Sequence, residues 1–260
     1  MKRFADHFSG RAAAYAAYRP SYPPAFVEYL SSLCPSHDLA WDAGTGNGQA
    51  AILLAAHFAR VVATDASSQQ LGHARPHPRV TYRVAMADAS GLVASSVDLV
   101  TVAQALHWFD LPPFYREVRC VLKPQGVLAA WCYDRMQVDA AVDPVVDHFC
   151  SHRVQPFWPA ERRHVKAGYR DLDFPFEEVA TGDWAMTARL MKNEFLGCIG
   201  TWSAVANARD REGADLVAEL AEGLRNVWPD EESRMVTWPI ACRVGRMSSS
   251  AAASPAALTA

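Results

Sequence analysis

The stretch Leu39-Ala-Trp-Asp-Ala-Gly-Thr-Gly-Asn-Gly-Gln-Ala-Ala-Ile-Leu-Leu-Ala55 decides the fold. A short apolar run ends in Asp42, glycines alternate through Gly44, Gly46 and Gly48, and an Ala/Leu-rich segment with apolar residues at helical spacing follows. Such a stretch reads strand, tight turn, helix, the first unit of an α/β sheet that binds a nucleotide. The glycines tolerate positive φ and leave no Cβ where a ligand must approach the backbone. The turn then delivers that ligand to the amino-end dipole of the helix beginning near Gln49.

Two ligand classes use such a turn. The dinucleotide fingerprint needs G-x-G-x-x-G; here the glycines run G-x-G-x-G, and Gln49 stands where the third fingerprint glycine belongs. A carboxylate at Asp42 repels a pyrophosphate and accepts from an ammonium or a water network. A nicotinamide-dependent oxidoreductase therefore stays as an alternative, weakened by the missing glycine.

Outward from that stretch, the beat of strand and helix continues. Ala59 to Asp65 reads as a second strand with Asp65 at its carboxyl end, where an acidic residue accepts from ribose hydroxyls; its other reading is a cap for the helix around Ser67 to Ala74, a role Ser67 also fits. Arg79 to Val84 is a third strand leading into Met86, Ala87 and Asp88, and Ser96 to Ala103 is a buried fourth strand by its near-continuous apolar run. That strand ends in Gln104-Ala-Leu-His107-Trp-Phe-Asp110, a polar and aromatic cluster where open α/β sheets place chemistry. As an isolated pair, His107 and Trp108 would read as loop packing. A helix from Leu111 to Leu122 and a fifth strand from Val127 to Tyr133 complete a parallel sheet.

From Asp134 to about Thr181 the beat breaks, with a helix expected near Val142 to Val154. Residues 151–170 hold Arg153, Arg162, Arg163, Lys166 and Arg170 against Glu161 alone. They read either as a solvated basic face or as groups that meet an anionic substrate. Glu177 to Ala180 is expected as a sixth strand, Leu190 to Ala206 and Glu212 to Trp228 as helices, and Met235 to Met247 as the last strand. At the other end, Tyr15 and Arg19 lie about one helical turn apart in an alanine-rich helix that Pro20 stops. The segment is either a lid over the core or a pair of cofactor contacts in which Arg19 clamps a carboxylate.

Composition narrows the function classes. At 260 residues, half hydrophobic and a fifth charged, the chain buries one substantial core. The expected organisation is a helical lid at residues 1–36, one α/β domain at 37–247 with a substrate-covering insert at about 134–181, and a disordered tail at 248–260. The net charge of −3 leaves no global electrostatic footprint for nucleic acid. The six cysteines have no metal-type spacing and read as small buried hydrophobes of a reducing compartment. There is no apolar run of membrane-spanning length and no leader-like amino terminus. The expectation is a cytoplasmic protein, monomer or homodimer, with no metal.

Several spaced motifs agree in order: Tyr15-x-x-x-Arg19-Pro-Ser-Tyr-Pro, Asp42-Ala-Gly-Thr-Gly-Asn-Gly-Gln, Ala103-Gln-Ala-Leu-His-Trp-Phe-Asp110 and Gly200-Thr-Trp-Ser-Ala204. Over about Phe4 to Arg246 the chain resembles the class I S-adenosylmethionine-dependent methyltransferases of the type 11 group, and within them the small-molecule branch that includes trans-aconitate methyltransferase-like proteins. The resemblance implies a Rossmann-like, seven-stranded, mostly parallel sheet with helices on both faces and an antiparallel edge strand. It implies S-adenosylmethionine as cofactor, with Asp42, Ala43, Gly44, Gly46 and Gly48 on its methionine and ribose, and Asp65 and Ala66 on the ribose. Ala87 and Asp88 would meet the adenine, Tyr15 and Arg19 the carboxylate, and Gln104 and His107 the methyl. His107 is then the catalytic candidate, as a base for a hydroxyl or amine acceptor or as an orienting group for a carboxylate. A partner protein with this fold and no activity is the remaining alternative, and the intact glycine turn argues against it. In the turn Lys123-Pro-Gln-Gly126, Gln125 replaces the first glycine of the family's Pro-Gly-Gly.

Overall fold

The structure is a computed structural model and describes residues 20–247. The expected lid helix with Tyr15 and Arg19, and the expected tail, lie outside the described residues. In chain order the elements are α1 (Pro24–Ser32), β1 (Leu39–Ala43), α2 (Gln49–Leu54), β2 (Arg60–Asp65), α3 (Ser68–Leu71), β3 (Val80–Val84), β4 (Val97–Ala103), α4 (Leu111–Val121) and β5 (Leu122–Tyr133). They continue as α5 (Asp143–Phe149), α6 (Arg162–Lys166), β6 (Glu177–Val179), β7 (Trp184–Met191), α7 (Lys192–Gly200), α8 (Ser203–Glu212), α9 (Leu216–Leu224) and β8 (Ser233–Arg246).

One sheet runs in the order β3-β2-β1-β4-β5-β8-β6, with β7 also paired to β8. The first five strands are parallel, and β8 is antiparallel to β5. Ile240 of β8 pairs with Tyr133 of β5 on one side and Trp184 of β7 on the other. Since Val244 likewise pairs with Ala129 of β5 and Val179 of β6, β6 and β7 lie end to end along one edge of β8. The sheet therefore has seven strand positions, mostly parallel, with its antiparallel element at this edge.

The central strands alternate their side chains between two cores because successive Cβ atoms point to opposite faces. Ala40, Val61, Ala63, Leu99, Val127, Ala129 and Trp131 face a core shared with α1 and α2, whereas Trp41, Val62, Val100, Val102, Leu128 and Ala130 face α4, Val165 and Tyr169. Tyr22 and Phe26 meet Trp131 edge-on, with ring centroids 5.4 and 5.2 Å away. Burial of these rings on both faces pins the middle of the sheet, and with it the loops at the strand ends.

Three expectations need correction. Leu190 and Met191 are the last residues of β7 rather than the first of a helix, and the helix starts at Lys192. Trp184, Met186, Ala188 and Leu190 alternate onto the core while Thr187 and Arg189 do not; the period-two signal is present but the partner strand lies more than forty residues later, so local pattern alone misses it. The expected helix over 190–206 is broken at Thr201 and Trp202, and the one over 212–228 is trimmed to α9, capped by Asp215, whose carboxylate accepts from the Ala218 N–H at 3.2 Å. Packing of α9 on α5, and of α8 on the turn at Gln155–Phe157, joins the segment after β5 and the segment after β7 into one helical layer.

Candidate active site

The strand order reverses between β1 and β4, so their carboxyl ends open a crevice at the topological switch point. The glycine turn forms one wall. Gly44, Gly46 and Gly48 take φ of 68°, 58° and 85°, all in the left-handed region that favours glycine. A Cβ on Gly44 would stand 2.8 Å from Ala105 Cβ, and one on Gly48 would stand 2.3 Å from Tyr82 Oη. The turn is therefore held between the loop after β4 and strand β3, with no room for a side chain at Gly44 or Gly48.

Two carboxylates organise this turn. Asp42 is fully buried at the end of β1 and accepts from Thr45 Oγ1 at 2.5 Å and from Thr101 Oγ1 at 2.7 Å. Burial raises its pKa to about 6, with the two threonine hydroxyls pulling the other way and the Asp65 charge adding to the rise. Asp65 ends β2 and accepts from the Gly46 N–H and from the Ser67 N–H, both at 2.8 Å. It thus ties the first turn to the second, while Ser67 is the residue that caps α3 through the Gln70 N–H. Ala66 is half-buried between the two.

Beyond β3, Ala87 packs on the core that faces α4, and Asp88 is exposed in the same turn. No hydrogen bond joins the Asp88 side chain to another of the described residues. Ala43 is buried as the last residue of β1.

The fourth wall is the segment after β4. Gln104 sits at φ 58°, a conformation that costs a non-glycine residue and gathers at functional turns. Its side chain amide donates to the Tyr133 carbonyl at 2.8 Å and accepts from the Tyr133 N–H at 3.0 Å, behaving as an extra rung between β4 and β5. His107 lies in a short 3₁₀ turn, buried, with its ring 4.7 Å from that of Trp108. Its Nδ1 lies 3.0 Å from the hydroxyl of Tyr169, a fully buried residue at φ 62° beyond α6. Burial, with Arg162 and His164 as neighbouring positive charges, lowers the His107 pKa to about 3. The lowered pKa keeps the imidazole neutral across the physiological range.

Thr45, Thr101 and Tyr169 are the site residues that sequence reasoning missed. Thr45 had a signal, a hydroxyl three residues after an aspartate at a turn. Thr101 and Tyr169 had none, because they reach Asp42 and His107 across 59 and 62 residues of chain. Among the described residues no cluster of side chains suited to a metal ion occurs, and no helix is long and apolar enough to cross a membrane.

A glycine turn, acidic strand ends and a buried polar loop at one switch point define a class of enzyme, and comparison with known proteins agrees. A family model described as a methyltransferase domain matches residues 41–130. The chain is 31% identical to a candidate methyltransferase of Dictyostelium discoideum over 240 residues, covering 90% of this chain and 91% of that one. It is 46% identical to the solved structure of a candidate type II methyltransferase from Anaeromyxobacter dehalogenans, with a TM-score of 0.84 over 88% of this chain and 98% of that one. An uncharacterized methyltransferase of Mycobacterium tuberculosis is 35% identical over 122 residues, 46% of this chain and 49% of its own length. The chain belongs to the class I S-adenosylmethionine-dependent methyltransferases. Its cofactor is S-adenosylmethionine, and the residues present fit that molecule: a tight turn in which a Cβ on Gly44 or Gly48 would clash, and carboxylates at the ends of β1 and β2.

Proposed function

We propose that the protein transfers the cofactor's methyl group to an oxygen of a small anionic molecule, a carboxylate, rather than to a group that must first lose a proton; a nitrogen acceptor already carrying a free lone pair is the second reading. The observation that carries this is the state of His107. An imidazole whose pKa is pushed down to about 3 is a poor proton acceptor at neutral pH. A carboxylate needs no base, because its oxygen is already the nucleophile.

S-adenosylmethionine supplies an electrophilic sulfonium methyl. The turn at Ala43 to Gly48 holds the methionine and ribose, Asp42 stiffens that turn beside the ammonium, and Asp65 with Ala66 takes the ribose hydroxyls. Ala87 and Asp88 would meet the adenine, and Tyr15 and Arg19, which lie outside the described residues, would take the cofactor carboxylate. Gln104 fixes the loop that carries His107, whose Nε2–H donates to the acceptor and aligns it. With S-adenosylmethionine bound, a carboxylate oxygen would take the methyl as an ester while the S–CH₃ pair stayed on sulfur as the thioether, and no proton would have to move. Alignment alone contributes up to about 7–11 kcal/mol to such a displacement.

The test is transfer of labelled methyl from S-adenosylmethionine to a panel of carboxylic acids and phenols, with the pH dependence of kcat followed for wild type and His107→Ala. An alkali-labile ester product and a kcat flat from pH 6 to 9 support the reading. A kcat that rises with an apparent pKa near that of free histidine, and loses the rise in His107→Ala, would overturn it. Calorimetric titration with S-adenosylhomocysteine and with NAD gives the cofactor step its own readout.

A further inference from the structure

Past the end of β5, a cavity of about 290 Å³ opens between Asp134, the turn at Gln155 and α6. Its size is at the bottom of the range of about 300–1,000 Å³ usual for small-molecule sites, enough for a single-ring ligand. Two features of its lining have no part in the sheet or in the cofactor turn.

The first is charge. Arg135, Arg162, Arg163 and Lys166 line the cavity against the single carboxylate of Asp134. Asp134 is paired with Arg162, and Arg135 is paired with Asp147 outside the cavity lining. Arg163 and Lys166 are exposed and have no carboxylate partner among the described residues. The spacing of Arg163 and Lys166 on α6 puts them on one face of its single turn. The second feature is aromatic. Trp158 and Trp202 line the same cavity with ring centroids 5.6 Å apart and planes at 46°. The Arg162 guanidinium lies over the Trp158 ring at 4.3 Å, held there by Asp134. Trp158 comes from the segment after β5 and Trp202 from the break between α7 and α8, so the pair exists only where the two helical segments meet.

We propose that this cavity is a binding site for a planar aromatic carboxylate, with the ring against Trp158 and Trp202 and the carboxylate toward Arg163 and Lys166. Aromatic walls reward a flat ring beyond its area, whereas an aliphatic acid of equal charge gains only the cations. Cations left without carboxylates at the mouth attract an anion and keep a neutral analogue out.

The experiment titrates the full chain, with and without saturating S-adenosylhomocysteine, with trans-cinnamate, and compares trans-cinnamamide and succinate as the neutral and aliphatic probes. Tryptophan fluorescence and calorimetry report binding. Expected is saturable cinnamate binding, weakened about fivefold or more in the double variant Arg163→Ala/Lys166→Ala, and about two- to tenfold in Trp158→Leu. The double variant should bind S-adenosylhomocysteine as wild type does. Cinnamate that does not bind, that binds equally to the double variant, or that binds no better than succinate would overturn the proposal. Cinnamate binding by a chain that ignores S-adenosylhomocysteine would leave this cavity assigned as an anion site and sink the transferase reading instead.

Discussion

Replacing Asp42 with asparagine should stabilise the protein, and more so in alkali than in acid. The carboxylate is fully buried and its pKa is raised to about 6 against an ordinary value of 3.8. A raised carboxyl pKa means the unfolded chain ionises first, so the fold is favoured below pH 3.8 and loses stability as pH climbs toward 6. The shift, converted at about 1.4 kcal/mol per unit, amounts to roughly 3 kcal/mol at pH 8 and roughly half of that at pH 5. Asparagine keeps the shape and one acceptor oxygen, while its amide can donate to a threonine hydroxyl. The gain of Asp42→Asn over wild type should therefore be larger at pH 8 than at pH 5 by on the order of 1 kcal/mol, or about half a molar in urea midpoint. Differencing the two proteins at each pH cancels His107, whose depressed pKa makes wild type and variant alike lose stability as pH falls below 6.5. Urea denaturation of cofactor-free protein at the two pH values measures this directly. An Asp42→Asn chain equally destabilised at both would show that the ionised carboxylate is a net favourable part of the turn, and the desolvation argument would be wrong.

Three further outcomes are expected. Gln125 occupies φ 65°, so Gln125→Gly relieves a left-handed residue and should raise stability by up to about 1 kcal/mol, read as a higher thermal midpoint. Gly48→Ala forces a Cβ to within 2.3 Å of the Tyr82 hydroxyl at φ 85°, and should cost about 2 kcal/mol or more and abolish calorimetric binding of S-adenosylhomocysteine; the double variant Gly48→Ala/Tyr82→Phe, by removing the clashing oxygen, should recover part of both. Tyr169→Phe removes the hydroxyl 3.0 Å from His107 Nδ1 and leaves that ring free to change tautomer. Turnover should fall about tenfold or more with KM for cofactor unchanged, and a Tyr169→Phe enzyme of wild-type kcat would detach the pair from catalysis.

The parallel part of the sheet was legible in the sequence because each βα unit carries its own signals. Continuous apolar runs marked β1, β2 and β4, the alternating glycines marked the turn, and Pro112 and Pro113 marked the start of α4. The carboxyl-end positions of Asp42, Asp65 and His107 followed from strand ends alone. β7 was not legible, because its strand identity comes from pairing with β8 across the intervening helices. Nor was the union of the two helical segments, whose meeting brings Trp158 to Trp202.

Residue type and order were enough to say that a carboxylate and an imidazole stand at the mouth of a nucleotide-binding sheet. Their chemical state was decided elsewhere in the chain. Thr101 and Thr45 engage Asp42 while burial raises its pKa, Tyr133 takes up the amide of Gln104, and the Tyr169 hydroxyl meets His107 Nδ1 while burial lowers its basicity. A local sequence fixes which groups a strand end presents, but desolvation and hydrogen bonding depend on whatever the folded chain packs around them, and only the tertiary structure supplies those neighbours.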